Sequence, residues 1–181
     1  MPSAFAHAAP ALALVPAFAG PNVPKRLWVA GMLCAAAPDL DVLGFSFGVQ
    51  YGDLLGHRGL SHSIPFAAVV TAPIAFLVAR RIWRRAWLYL FLAMASHGLL
   101  DACTNGGLGV ALLSPFDRTR WFFPFRPIEV SPLGPRAFLS GRGLTILANE
   151  LVWVGLPCTL LGLACSWWRR ARPAESTNFW Y

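Results

Sequence analysis

The chain has 181 residues but only four histidines and eight acidic residues, and the histidines are not scattered. HRGLSHS at 57–63 brings His57, Arg58 and His62 together, PDLD supplies Asp39 and Asp41, and HGLLD sets His97 and Asp101 four residues apart. His7 lies near the start. Residues at i and i+4 project from the same face of a helix, so the His97 imidazole and the Asp101 carboxylate can close on one ion. Imidazole nitrogen and carboxylate oxygen form the ligand set that suits zinc, manganese or iron in a hydrolytic site. Asp-x-Asp after a proline gives a turn with two carboxylates free to ligate, or one to ligate and one to take a proton. His57 and His62 are five residues apart, too far round a helix to share a face, which places His57 in the preceding loop, folded back.

These side chains must be positioned by strongly apolar elements. The hydrophobic fraction is 56%, only 13% of residues are charged, and mean hydropathy is positive, a balance soluble domains of this size rarely show. One membrane-embedded domain over 1–181 is expected, an all-α integral membrane bundle of four to five helices. Five apolar segments stand out, at about 4–20, 27–37, 62–79, 86–103 and 144–168. The first two are shorter than the ~20 residues a full crossing needs, and Pro10 and Pro16 interrupt the first. Three basic clusters, Lys25-Arg26, RRIWRR at 80–85 and WWRRAR at 167–172, flank the segments beside tryptophans, as cytoplasmic anchors do. Five crossings put all three on one side. The net charge of +7 therefore reads as membrane anchoring, and no nucleic-acid partner is expected. The segment 104–143 is too polar to cross and is expected to be a long loop on the non-cytoplasmic face, and 173–181 a disordered tail. Cys34, Cys103, Cys158 and Cys165 form no CxxC pair and imply no disulfide framework. The N-terminus lacks the basic region of a signal peptide and reads as a retained helix.

On this topology every histidine, together with Asp39, Asp41 and Asp101, falls at the end of the bundle opposite the basic clusters, each beside a helix terminus. Each residue also has a plainer role. Asp39 or Asp41 alone could be a turn or cap residue, His7 a packing residue, and His97 with Asp101 a buried hydrogen-bonded pair without metal. Arg58 could anchor at the interface or clamp a phosphate. The loop arginines Arg118, Arg120, Arg126, Arg136 and Arg142 break the positive-inside pattern, which a face handling anions or contacting lipid headgroups explains equally. Glu150, two turns into the last segment, reads as a buried polar residue with a partner rather than a further ligand.

Residues 1–135, through His7, PDLD, HRGLSHS, HGLLD and TNGGLGVALLSPFD, resemble the LexA-regulated, membrane-bound, predicted metal-dependent hydrolases of bacteria, the YdjM-like proteins. The resemblance implies a small multi-helix inner-membrane protein with a metal site made from these histidines and aspartates. A more distant similarity is to the zinc-dependent phospholipase C and P1 nuclease group, which implies that Asp101 bridges two metals; no later histidine pair is present here, so one or two ions are expected, zinc first, with manganese or iron as alternatives. The function expected is a metal-activated water attacking an ester, a phosphoester of a lipid or envelope precursor, with membrane lipids as partners. The ligands expected are His7, Asp41, His62, His97 and Asp101, with Asp39 or His57 as general base or acid and Arg58 orienting phosphate; roles within the Asp39/Asp41 and His57/His62 pairs stay interchangeable. The rival readings are a structural metal site without turnover, an ion or proton carrier, and an interaction protein of envelope stress. Transport is disfavoured because the polar groups gather at one end rather than near the midplane.

Overall fold

The computed structural model describes residues 1–19, 23–131 and 141–171. Among these the regular structure is helical, with two isolated bridges in the loop region. Helix α1 spans Ala4–Phe18, α2 Arg26–Ala36, α3 Ile64–Ala79, α4 Trp83–Ala102, α5 Gly141–Glu150 and α6 Leu156–Ala171. The tail 173–181 and Arg136 lie outside the described residues.

Three helical stretches, Arg26–Phe47, Ile64–Ala102 and Gly141–Ala171, are long and apolar enough to cross a membrane, and Ala4–Phe18 is a shorter apolar helix. The second stretch, 39 residues long, would reach nearly twice a ~30 Å bilayer core if straight. It folds back instead. Ala79 and Ile82 leave helical geometry on either side of a 3-10 turn at Arg80–Ile82, and α3 packs along α4. The arrangement is thus the helical membrane bundle expected from composition.

Two boundaries differ from those read in the sequence. The second segment does not stop near 37. Its backbone continues as a 3-10 helix over Ala37–Phe47, because Pro38 sits in the first turn, where its missing N–H costs nothing. The stretch is 22 residues, long enough to cross. The last segment is already helical at Gly141, where the described residues resume, and carries one π turn, Leu151–Gly155, between α5 and α6.

The bundle packs through small residues. Ala11, Ala35, Ala75, Ala86 and Ala93 are fully buried, which lets the helix backbones approach closely, as membrane bundles require. Tyr89 fills the centre and donates its hydroxyl to the Ala11 carbonyl, 3.1 Å. Leu156, Leu160, Leu163 and Trp167 of α6 face outward, as a lipid-facing surface does. Two contacts fix the polarity of the bundle. Arg85 at the start of α4 and Arg169 at the end of α6 donate to the carbonyls of Ala19 and Pro16, at the end of α1, so the basic clusters share one end. The C-terminus of α4, the N-terminus of α3 and the N-terminus of α1 meet at the other.

Over its described residues, 104–131, the loop after α4 is tied back by backbone hydrogen bonds. Val110 and Trp121 exchange backbone hydrogen bonds, Ile128 donates back to Cys103, and Ala111 donates to the Arg58 carbonyl. Asn149 of α5 ties down the far end, accepting from Glu129 and donating to Pro127.

A candidate metal centre

Each site residue sits where a helix ends, so its side chain is held by a rigid rod yet faces the junction. His7 is one turn into α1, whose N-cap Ser3 accepts from Ala6 and receives the His7 N–H on its carbonyl. Glu150 accepts from both the amide and the hydroxyl of Ser3, which makes it the partnered buried acid expected from sequence. Asp39 and Asp41 lie on the 3-10 extension of α2, His62 closes a short 3-10 turn before α3, and His97 and Asp101 end α4. His57 lies in the loop and folds back, its ring 5.2 Å from that of His62.

His7, His62, His97 and Asp101 are fully buried, and Asp39 keeps 14% of its side chain exposed. Two overlapping groups converge, His7, Asp39, His97 and Asp101, then Asp39, His57, His62 and Asp101, each offering one ligand atom within 4.8 Å of all the others. Both share the two carboxylates. The contacts are His97 Nε2 to Asp39 Oδ1 at 3.3 Å, His62 Nε2 to Asp101 Oδ2 at 3.3 Å, and His7 Nε2 to Asp39 and Asp101 at 3.8 and 3.9 Å. Tetrahedral ligands held at the usual zinc distances stand about 3.3 Å apart.

Hydrogen bonding fixes the tautomers. The Nδ1 of His97 lies 2.7 Å from the Ala35 carbonyl, which only accepts, so Nδ1 carries the proton and Nε2 presents a lone pair. Ser61 spends its one hydroxyl proton on Asp41 Oδ2 at 2.6 Å, so His62 Nδ1, 3.0 Å from that hydroxyl and 3.1 Å from the same carboxylate, must donate. Its Nε2 then faces the Nε2 of His97 at 3.1 Å. Two lone pairs at that distance need a cation or a proton between them. Both ring nitrogens of His7, Asp39 Oδ1 and Asp101 Oδ2 are buried without a hydrogen-bond partner. Orphaned buried polar atoms are costly, and their convergence fits a divalent ion. Burial pushes the His62 imidazole down, but the surrounding carboxylates of Asp101, Asp39 and Asp41 favour the charged form, outweigh burial and hold its pKa up to about 10 in the metal-free chain.

Asp41 and Arg58 take places that differ from those expected. Asp41 points away from the convergence and supports the imidazoles, accepting from His57 Nδ1 at 2.7 Å as well as from Ser61 and His62. Asp39 occupies the central position instead. The 3-10 twist separates residues two apart onto different faces, which chain position alone does not reveal. Arg58 is 1% exposed, too buried to be an interfacial anchor. Its Nε lies 3.3 Å from Asp101 Oδ2 and its terminal nitrogens reach the Gly106 carbonyl and Thr104 Oγ1. Arg58 has a left-handed φ of 62°, and Gly107 leaves the room, since a Cβ there would stand 2.7 Å from the guanidinium. Ser61 and Thr104 also support the site, roles that the sequence reading does not assign. Both lie inside quoted motifs, HRGLSHS and TNGGLG, where a hydroxyl among ligands is the available signal.

Fold and site together define a helical membrane protein with a buried histidine and aspartate cluster able to hold a divalent metal. The chain belongs to the YdjM inner membrane protein family, whose signature it matches over residues 1–173. It is 41% identical over 174 residues to inner membrane protein YbcI of Escherichia coli (strain K12), an alignment covering 94% of this chain and 99% of that protein. No solved structure matches it.

Proposed function

We propose that this chain is an inner-membrane, metal-dependent hydrolase of phosphoesters carried by lipids or envelope precursors. The observation that supports this best is the convergence of unpartnered His7, Asp39 and Asp101 atoms on the Nε2 atoms of His62 and His97, which lie 3.1 Å apart. In this reading His7, His62, His97, Asp39 and Asp101 hold zinc, or manganese or iron in its place. The two groups share Asp39 and Asp101 and the second adds His57, so the cluster would offer donors for one ion or two. When bound, the metal lowers the pKa of water and stabilises negative charge on an ester oxygen.

The remaining residues orient and move protons. The Asp41 carboxylate holds His57 with a proton on Nδ1, leaving its other nitrogen free to accept one, the arrangement of a general base with its orienting acid. Arg58, buried and with its Nε 3.3 Å from Asp101 Oδ2, balances the charge of that carboxylate. Asp39 is the only one of the five ligands with solvent access, so substrate approaches past it. In this reading Asp39 takes the ligand role and Asp41 the proton-handling one, the alternative left open for that pair. Following the positive-inside rule, the site faces the non-cytoplasmic side.

Hydrolysis of a nitrophenyl phosphate tests the assignment. D39N loses metal and activity together, whereas D41N, which keeps all five ligands, still loads at saturating zinc and loses turnover by about a hundredfold or more. Wild-type hydrolysis in both variants refutes the mechanism. A structural metal site without turnover is favoured by one observation, the complete burial of four of the five ligands. That reading requires metal-loaded protein to be inactive while D39N unfolds.

A further inference from the structure

A second cleft adjoins Gly59 and shares no lining residue with the histidine and aspartate cluster. It has a volume of about 180 Å³ and is lined by Gly52, Asp53, Gly59, Ser114, Arg118 and Arg120, among others. Three features mark it as built for an anion. Ser114 is fully buried and its hydroxyl has no hydrogen-bond partner, an arrangement that costs free energy unless something enters the cleft. Arg118 is exposed and makes no hydrogen bond or ion pair among the described residues. Arg120 is fixed beneath it, donating to the carbonyls of His57 and Tyr51 at 3.0 and 2.9 Å. One carboxylate also lines the cleft, that of Asp53, and its Oδ2 already accepts from the Gln50 amide at 2.8 Å. Two guanidiniums against one carboxylate leave the cleft positive.

The wall of this cleft is two-sided. Ala111 and Ser114 face the cleft, while Leu112 and Leu113, between them in sequence, line an apolar groove of about 500 Å³ with Ile64, Ala102, Trp121 and Phe122. The groove opens at the ends of α3 and α4, one residue from Asp101. A polar cleft with charged donors and an apolar groove therefore share one four-residue partition. An amphiphile fits that pairing; free phosphate would use only half of it.

We propose that the cleft of Ser114, Arg118 and Arg120 binds the phosphate of a membrane lipid, with the lipid's acyl chain in the groove behind Leu112 and Leu113. Ser114 and Arg118 donate to the phosphate oxygens, and Arg120 adds charge while holding the segment that carries His57 in place. As a statement about substrate class this rests on the hydrolase reading above; as a statement about binding it does not.

The test is titration calorimetry of the full chain in detergent, with dihexanoyl phosphatidic acid, dihexanoylglycerol and inorganic phosphate as probes and metal content measured on each sample. The expected order is phosphatidic acid tightest, inorganic phosphate weaker, dihexanoylglycerol weakest. S114A and R118Q each weaken phosphatidic acid binding about tenfold, whereas R126Q, whose arginine sits over the Phe122 ring, does not. Neither S114A nor R118Q changes metal content, because neither residue touches the metal centre. Wild-type affinity in both variants, equal binding of dihexanoylglycerol, or inorganic phosphate as tight as the lipid overturns the proposal. Lipid binding that keeps its Arg118 dependence in a sample without metal upholds the proposal and removes only its link to hydrolysis.

Discussion

Gly98 follows His97 on α4, and a methyl group there is predicted to dismantle the metal centre without unfolding the helix. A Cβ built on Gly98 would stand 2.3 Å from the His62 carbonyl oxygen and 3.3 Å from Leu112 Cδ2. Ordinary contact is about 3.5 Å, so α4 and the His62 turn must part by about 1 Å. Metal sites tolerate about 0.2 Å in ligand distance, so the His62 and His97 nitrogens, now 3.1 Å apart, can no longer close on a shared ion. Stability changes less. Alanine gains about 1 kcal/mol of helix propensity over glycine, and overpacking costs about 1–3 kcal/mol, leaving a net loss of about 0–2 kcal/mol. The assay is zinc affinity by competition with a chelator, alongside thermal unfolding. G98A should bind zinc at least about tenfold more weakly. G162A is the control, because its Cβ would meet nothing nearer than the Ala13 carbonyl at 3.5 Å, and it should bind zinc normally. Wild-type zinc affinity in G98A would refute the argument that this close approach sets the spacing of the two histidines.

Other perturbations follow from the same geometry. In E150Q one of the two acceptors for Ser3 is lost, and thermal stability should fall by about 1–3 kcal/mol, with weaker zinc binding because Ser3 caps the helix that carries His7; an unchanged melting curve would contradict this. Since His62 holds a proton up to about pH 10 without metal, zinc must displace it, and zinc affinity should rise about tenfold per unit between about pH 6 and 9. A flat profile would contradict it. In the metal-free chain the sign is opposite: a folded pKa raised above the unfolded value stabilises the fold fully below about pH 6.5, and the contribution is lost as pH rises towards about 10. Urea unfolding of chelated protein at two pH values checks that direction.

Much of this was legible in the chain. His97 and Asp101 converge as their i,i+4 spacing requires, and the five-residue separation of His57 and His62 does fold His57 back from the loop. The basic clusters share an end because their long side chains reach the last carbonyls of α1. What was not legible depends on local backbone geometry. PDLD reads as a turn with two interchangeable carboxylates, but the 3-10 extension of α2 sends Asp39 to the centre and Asp41 to the imidazole Nδ1 atoms. Arg58 sits among glycines and polar residues that suggest exposure, yet a left-handed φ and the space beside Gly107 bury it against Asp101. No pattern of hydrophobicity encodes either.

Whether the buried histidines and aspartates hold metal is decided by elemental analysis of the purified, detergent-solubilised protein by plasma mass spectrometry. One to two equivalents of a divalent transition metal per chain are expected, lost on replacing His97 by alanine while membrane insertion persists, since α4 keeps its apolar length. Protein purified without metal that also fails to take up zinc, or an H97A variant that binds as much as the wild type, would contradict it and leave the cluster a proton-sharing network instead.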